Sequence, residues 1–441
     1  MKVVKFGGSS VADVKQFRKV KAIIQADNRR QVVVVSAIGK SLQQPIKMTD
    51  MLIELERARD LGEDINEIFE SISERFLKIR DDLKIGLVLE KDLLEIKDNL
   101  FTCSHDYLIS RGEYLTAKLM AKYLGYKFVD ASLVMIFKEN GFDYGASKRA
   151  LLKIRSKYQN IVVPGFYGVQ IDKSIQLMAR GGSDISGAIL ANLLDAKLYE
   201  NWTDVSGILM ADPRIVDHSQ KIDILSYEEL QELSYMGIGV FQEEAILPVR
   251  KKQIPTKILN TNDPKASGTL VVGSIDRQIE KRIITGIAGK KNYTVITIKK
   301  YQLNRHIEIL QQVLSILQKH HIVASYVPSG NDGFSFLCQQ DSSNPNLESA
   351  ISNLRNSCNL DKIIINKNIA LVAAVSWQLS QRPSLAGKIL DFLDNSRINV
   401  KLVIQEGSNM KVIFGVNDAD YERTIVKIYQ EAEFYKLSKP A

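Results

Sequence analysis

What most constrains the fold of this 441-residue chain is an alternation. Short apolar runs of strand length are separated by longer stretches of helical period, and the pattern persists from residue 1 to about residue 275. The strand candidates are Val3 to Phe6, Val32 to Ser36, Lys127 to Val129, Ile161 to Val163, Ala196 to Glu200 and Thr256 to Leu259. Parallel neighbours need a long crossover, usually a helix, so this alternation predicts an α/β architecture with a mainly parallel sheet. Ligands of such sheets gather beyond the carboxyl ends of the strands. The residues after Phe6, Ser36 and Val163 should therefore face one crevice. Between Met51 and Leu108 the chain is charged and helical in period, with Leu55, Ile65, Ile68, Phe69 and Ile72 as apolar positions. That stretch predicts an inserted helical hairpin.

Two glycine pairs punctuate the alternation. The first strand runs into Lys5-Phe6-Gly7-Gly8-Ser9-Ser10, and Arg180-Gly181-Gly182-Ser183-Asp184 opens a stretch of small and apolar residues at helical spacing. Glycine allows close approach and backbone N–H groups that converge on an anion. The second pair adds a helix N-terminus to that anion site. A lysine beside one pair and an aspartate beside the other suit phosphoryl transfer, where charge must be neutralised on the moving group. Taken singly, Gly-Gly-Ser is an ordinary tight turn and Asp184 an ordinary cap; their joint presence favours the chemical reading. Neither GxxxxGK[ST] nor G-x-G-x-x-G occurs at these turns, which excludes a P-loop enzyme and weakens a dehydrogenase reading.

Further polar groups sit at strand ends. Trp202-Thr203-Asp204-Val205-Ser206-Gly207 follows the strand at Ala196 to Glu200, and Leu209 and Asp212-Pro213-Arg214 come soon after, placed to hold a nucleotide or simply to make turns. Arg180 suits a bidentate bond to a carboxylate. Ser110-Arg111-Gly112-Glu113 is read as preceding an apolar helix, which makes Glu113 a helix-N-terminal carboxylate able to meet an ammonium group.

The composition excludes other classes. With 59 basic and 51 acidic residues the net charge is +8, yet the basic residues are spread out, so nucleic acid is not an expected partner and a small anion is. Three cysteines, Cys103, Cys338 and Cys358, have no CxxC spacing, and the five histidines form no ligand or triad pattern; neither a disulfide framework nor a metal site is expected. No signal-like start or membrane-length apolar run occurs, and a cytoplasmic protein without membrane contact is the expectation.

Beyond the turn at Pro264 to Gly268 the pattern changes to compact strand-helix-strand-strand-helix-strand order. The first such unit takes Thr294 to Ile298, a helix from Asn304 to Gln318, Ile322 to Val327, Phe334 to Cys338, a helix at Leu347 to Leu354, and Lys362 to Asn366. The second takes Ala370 to Val375, a helix at Leu385 to Asn395, Val400 to Ile404, Lys411 to Val416 and a helix at Ala419 to Tyr429, and lacks its last strand. Ile283 to Ile287 is a spare strand that could complete the second sheet by an intramolecular swap.

Together these motifs resemble the aspartate kinases of the amino-acid kinase family, in order and over essentially the whole chain: Lys5 to Ser10, Ser36-Ala37, Thr49-Asp50, Arg111-Gly112-Glu113, Gly165-Phe166, Arg180 to Asp184, Trp202 to Gly207 and Asp212 to Arg214. The resemblance implies an αβα-sandwich kinase domain at 1–275, a first ferredoxin-like ACT domain at 292–366 and a second at 281–291 plus 367–441. It implies transfer of the γ-phosphoryl of MgATP to the β-carboxylate of L-aspartate, the first step toward lysine, threonine and methionine. On the same basis Lys5, Gly7, Gly8, Ser9, Gly181, Gly182 and Ser183 hold the phosphates, with Lys5 and Asp184 catalytic. Thr203, Asp204, Leu209, Asp212 and Arg214 hold ATP, while Thr49, Glu113, Arg180, Gly181 and Ser183 hold aspartate. Mg²⁺ would bridge phosphate oxygens, and the protein would be a homodimer or a dimer of dimers. Departures accompany the match: Gly237-Ile238-Gly239-Val240 stands where many members have Gly-Ala-Lys-Val, Ser325 replaces the aspartate of lysine-sensitive members, and Glu308-Ile309-Leu310 lacks their glycine. Lysine, threonine, another end product or no effector all remain open, as do a related kinase acting on glutamate and a non-catalytic amino-acid sensor.

Overall fold

The computed structural model describes all residues except 179–180, 240–242, 276–282, 340–345, 383, 406–409 and 438–441. The chain divides into two compact units. One comprises Met1–Ile208, Lys221–Ser234 and Gly239–Asp276; the other comprises Leu209–Gln220, Tyr235–Ile238 and Arg277–Ala441.

The first unit begins with β1 (Lys2–Phe6), α1 (Val14–Gln25) and β2 (Arg30–Val35). Val3, Val4, Phe6 and Val32 to Val35 are fully buried, as near-continuous apolar strands covered on both faces should be. Next come α2 (Met48–Leu61), α3 (Asn66–Asp82), α4 (Glu90–Asn99) and α5 (His105–Leu124). The inserted segment is thus three helices leading into a fourth, and not the expected hairpin. Short turns at 62–65 and 83–89 break what reads in sequence as continuous helical period, and Gly62 ends α2 in the left-handed conformation (φ 71°). Leu55, Ile65, Phe69 and Ile72 are buried there, with Ile68 packed partly against the same core.

The unit continues through β3 (Lys127–Phe128), the small hairpin β4 (Phe137–Lys138) and β5 (Gly141–Phe142), α6 (Tyr144–Arg155) and β6 (Ile161–Pro164). A second hairpin, β7 (Tyr167–Val169) and β8 (Ile175–Leu177), precedes α7 (Gly182–Leu193) and β9 (Leu198–Thr203). Then come β10 (Ile224–Ser226), α8 (Tyr227–Tyr235), α9 (Glu243–Lys251), β11 (Thr256–Asn260) and β12 (Thr269–Val272). Eight strands form one sheet in the order β10-β12-β11-β9-β1-β2-β6-β3, parallel at every pairing except β11 with β12. The carboxyl ends of β9, β1, β2 and β6 therefore lie side by side.

The second unit is built on one five-stranded antiparallel sheet, β14-β13-β15-β17-β16. β13 (Gly286–Lys299) and β15 (Lys362–Val375) are each 14 residues long, with α10 (Ile307–Lys319), β14 (Gly333–Gln339) and α11 (Asn346–Ser357) between them. α12 (Trp377–Gln381), α13 (Ser384–Asn395), β16 (Leu402–Ile404), β17 (Lys411–Asn417) and α14 (Tyr421–Leu437) follow. The early half of β13 pairs Gly286 to Lys290 with Val375 to Leu371, and the late half pairs Val295 to Lys299 with Asn366 to Lys362. The strand expected at Ile283 to Ile287 is met only at Gly286 and Ile287, where β13 begins; the element runs on to Lys299 and pairs along β15 in both of its halves. Ile322 to Val327 forms no strand: only single bridges, Tyr326 to Leu337 and Ser329 to Phe334, touch β14. Pro328 has no N–H to extend that ladder, and Val323 is 78% exposed, so little burial rewards regular pairing.

Among the described residues no helix is long and apolar enough to cross a membrane.

Candidate active site

At the end of β1 the Lys5 side chain is buried, and its Nζ lies 2.6 Å from Asp184 Oδ1. The two glycine turns, 174 positions apart in sequence from Gly7 to Gly181, are thereby joined by one ion pair. Asp184 is the third residue of α7, whose N-cap is Gly181 (φ 77°), and that start has no side-chain capping bond. Asp184 is an acid in the first turn of α7, and its carboxylate also faces Lys5. Asn201 Nδ2 donates to the same Oδ1 at 2.9 Å, and the Tyr199 hydroxyl donates to the Asp184 carbonyl at 3.1 Å. In the β1–β9 register Lys5 stands directly opposite Asn201. Asn201 was missed in the sequence; its signal is an amide in the middle of an otherwise buried strand. With one carboxylate held by an ammonium and an amide, Lys5 has a fixed direction before any ligand arrives.

The first glycine turn is gripped from the neighbouring strand end. Gly39, just beyond β2, donates its N–H to the Gly8 carbonyl at 3.0 Å, and a Cβ on Gly39 would lie 2.3 Å from the Gly8 carbonyl carbon. No residue with a side chain could stand there without parting the two loops. Gly7 N–H donates to the Trp202 carbonyl at 3.0 Å, and the Ser10 and Thr261 hydroxyls lie 2.7 Å apart. Ser9 and Asp204 line a cleft of about 1170 Å³ whose wall also carries Lys15, Arg18, Lys40 and Arg75. The second turn packs on the end of β6: a Cβ on Gly165 would meet Ser183 Cα at 2.8 Å, and one on Gly182 would meet the Phe166 ring at 2.6 Å. Phe166 itself holds φ 75°, uncommon for a bulky residue, with its N–H donated to Ser186 Oγ and its carbonyl accepting from Met178. The predicted convergence of the segments after Phe6, Ser36 and Val163 is thus present.

Glu113 is not at a helix N-terminus. It is the ninth residue of α5, which starts at His105 with a Ser104 cap, because the polar Ser110-Arg111 pair that looked like a helix boundary is itself buried inside the helix. The Glu113 carboxyl accepts from the Ala37 N–H, while Oε2 is buried without a partner. Burial pushes its pKa up to about 7, partly opposed by that backbone bond. Ala37 also presents its carbonyl 3.1 Å from a Cβ position on Gly8, so one residue abuts both Glu113 and the first glycine turn. Thr49, in the first turn of α2, is half-buried.

Thr203 Oγ1 donates to Asp204 Oδ1 at 3.1 Å. Leu209, Asp212 and Arg214 belong to the second compact unit, where Arg214 forks onto Asp212 and holds its carboxyl below the usual range. Ser325, likewise in that unit, gives its N–H to the Leu337 carbonyl at 2.8 Å. Arg180 and Val240 lie outside the described residues. Among the described residues no group of three or more His, Cys, Asp or Glu side chains is arranged to hold a metal ion.

These features can be set beside known proteins. The model of the amino acid kinase family matches residues 1–260. The chain belongs to that family. It is 34% identical to aspartokinase 3 of Bacillus subtilis, an alignment covering 98% of each chain, and 26% identical to the aspartokinase of Rickettsia felis over 99% of each. Its structure superposes on that of Clostridium acetobutylicum aspartate kinase with a TM-score of 0.90 at 39% identity, over 98% of this amino acid kinase and 99% of the other chain. Escherichia coli aspartokinase III, in its complex with aspartate and ADP, shares the fold at 24% identity with a TM-score of 0.78, over 98% and 99% of the two chains.

Proposed function

We propose that this protein is an aspartate kinase, transferring the γ-phosphoryl of ATP to the β-carboxylate of L-aspartate to give 4-phospho-L-aspartate. The carrying observation is the buried Lys5–Asp184 pair that joins the two glycine turns. Lys5 would meet the charge that spreads over the phosphoryl oxygens in the transition state, and Asp184 with Asn201 would aim it. The backbones of Gly7 to Ser9 and of Gly181 to Ser183, the latter at a helix N-terminus, would cradle the phosphates. The acceptor is a carboxylate, already ionised near neutral pH, so the reaction needs no general base.

At the other end, Glu113 supplies a buried carboxyl with a free oxygen, suited to the substrate ammonium; an arriving cation would lower its pKa and drive off its proton. Thr49, Arg180, Gly181 and Ser183 are assigned to the rest of aspartate, with Arg180 on a carboxylate. Thr203, Asp204, Leu209, Asp212 and Arg214 are assigned to the nucleotide. The magnesium ion that accompanies ATP would neutralise charge on the phosphates beside Lys5 and the two glycine turns.

On the same reading 1–275 is the catalytic domain, 292–366 the first ACT domain, and 281–291 with 367–441 the second. The ACT pair would bind an amino-acid effector and assemble a cytoplasmic homodimer or dimer of dimers. Ser325, where lysine-sensitive members carry aspartate, argues against lysine as that effector.

Hydroxylamine trapping of the acyl phosphate, with ATP, Mg²⁺ and either L-aspartate or L-glutamate, tests the assignment. Hydroxamate formed with aspartate supports it. Turnover with glutamate alone, or binding of an amino acid without ATP consumption, would replace it with a related kinase or a sensor.

A further inference from the structure

The inserted helix α3 sends one side chain into the site's framework that no mechanistic step uses. Arg75 is 6% exposed, and among the described residues no acidic side chain is found paired with it. Its guanidinium instead donates from Nη1 to the Ile46 carbonyl at 2.7 Å and from Nη2 to the Gly39 carbonyl, while Nε is buried without a partner. Burial pushes its pKa down, as expected for a cation facing only neutral acceptors. An unpaired buried charge is costly to keep, and a core position of this size would be filled more stably by an apolar residue.

What the charge holds is the neck of one loop. Gly39 and Ile46 flank the tip of the segment 36–47 between β2 and α2, a tip that carries the fully exposed Leu42 and is bridged by a Ser41–Gln44 turn. At its start, Gly39 is the residue interlocked with Gly8 of the first glycine turn. Just inside the neck, Met48 N–H bonds the Ile38 carbonyl, which sets the first turn of α2 and with it Thr49. Arg75 also lines the cleft shared with Ser9. A planar fork can bridge two carbonyls at a fixed spacing, whereas a lysine can reach only one of them firmly.

We propose that Arg75 is a positioning residue for phosphoryl transfer: by clamping both ends of the 39–46 loop it fixes the Gly8 backbone that cradles the phosphoryl group and the helix start that meets the acceptor. The inference rests on the kinase reading given above. It acts through backbone, so Arg75 itself touches no reacting atom.

The test uses the full-length protein with Arg75→Met, Arg75→Lys and Arg75→Ala. Expected for Arg75→Met is a 10- to 100-fold loss of kcat with a raised KM for aspartate. Arg75→Lys should recover part of kcat, and millimolar guanidinium should partly restore Arg75→Ala. Backbone amides of residues 39–47 should exchange faster with solvent in Arg75→Met while β1 and α7 stay protected. A folded Arg75→Met enzyme with wild-type kcat and KM, or a lowered melting temperature without faster exchange in 39–47, would overturn the proposal. Should Arg75→Met fail to fold, the exchange pattern and kinetics of Arg75→Lys decide in the same way. Absence of aspartate-dependent turnover in the unmodified protein would sink the kinase reading instead, and the exchange experiment would still report on the clamp.

Discussion

The two ends of the candidate site handle charge in opposite ways. At the phosphoryl end Lys5 is already matched, at 2.6 Å, to a carboxylate that a neighbouring amide also holds. At the acceptor end Glu113 is buried with one oxygen unpaired and its pKa raised to about 7. One end is organised before substrate binds; the other leaves a place whose cost is relieved only by a cation. The lesson is that the first should set the rate and the second the affinity and its pH dependence.

Removing the organised cation should have the largest effect. Lys5→Ala is expected to lower kcat by three orders of magnitude or more with little change in aspartate KM, and steady-state kinetics on a folded preparation would refute the contrast if KM moved instead. Asp184→Asn should follow with a loss of about 100-fold, since Lys5 remains but is no longer aimed by a charge; an equal loss in Asn201→Ala would mean that the amide matters as much as the carboxylate.

At the other end, Glu113→Gln should raise aspartate KM by 10- to 100-fold and leave kcat within about fivefold. Ammonium binding requires the ionised Glu113, so wild-type aspartate affinity should tighten from pH 6 to pH 8, and this dependence should vanish in Glu113→Gln. A flat wild-type profile in direct binding measurements would show that Glu113 does not meet the ammonium. The smallest effect concerns stability. The folded pKa lies above the unfolded value of 4.5, so the folded state binds more protons between pH 4.5 and 7, and stability falls as pH rises through that window. The difference amounts to at most about 3 kcal/mol. Glu113→Gln lacks this loss, and the variant's melting temperature should gain on wild type from pH 5 to pH 8; parallel curves would contradict the raised pKa.

How much of this could be read from sequence depended on what a residue type reveals locally. The runs at Val3 to Phe6, interrupted only by Lys5, and at Val32 to Ser36 announced central strands because strands buried on both faces are near-continuously apolar. Glycine pairs after strands announced the turns. The position of Glu113 was misread because Ser110 and Arg111 look like a helix boundary, and only the tertiary core tells that α5 buries them. Arg75 was invisible for a related reason: in a charged amphipathic helix an arginine is normally a solvated one, and its carbonyl partners lie 29 and 36 positions away. Ile322 to Val327 failed as a strand through lack of burial and of a donor at Pro328, which a propensity reading of isolated residues weighs too lightly.

The shared strands β13 and β15 have a consequence for anyone dissecting the second unit. Its two halves are not beads on a string, since β13 and β15 run side by side through both, with register shifts between Lys290 and Val295. A fragment starting at residue 367 would expose Ala370 to Val375 as a raw apolar margin open to neighbouring copies, and one starting at 292 would do the same. An excised piece that preserves this pairing must keep the chain from Thr285 onward, and any strain passed between the halves has to cross the register shifts of β13 between Lys290 and Val295.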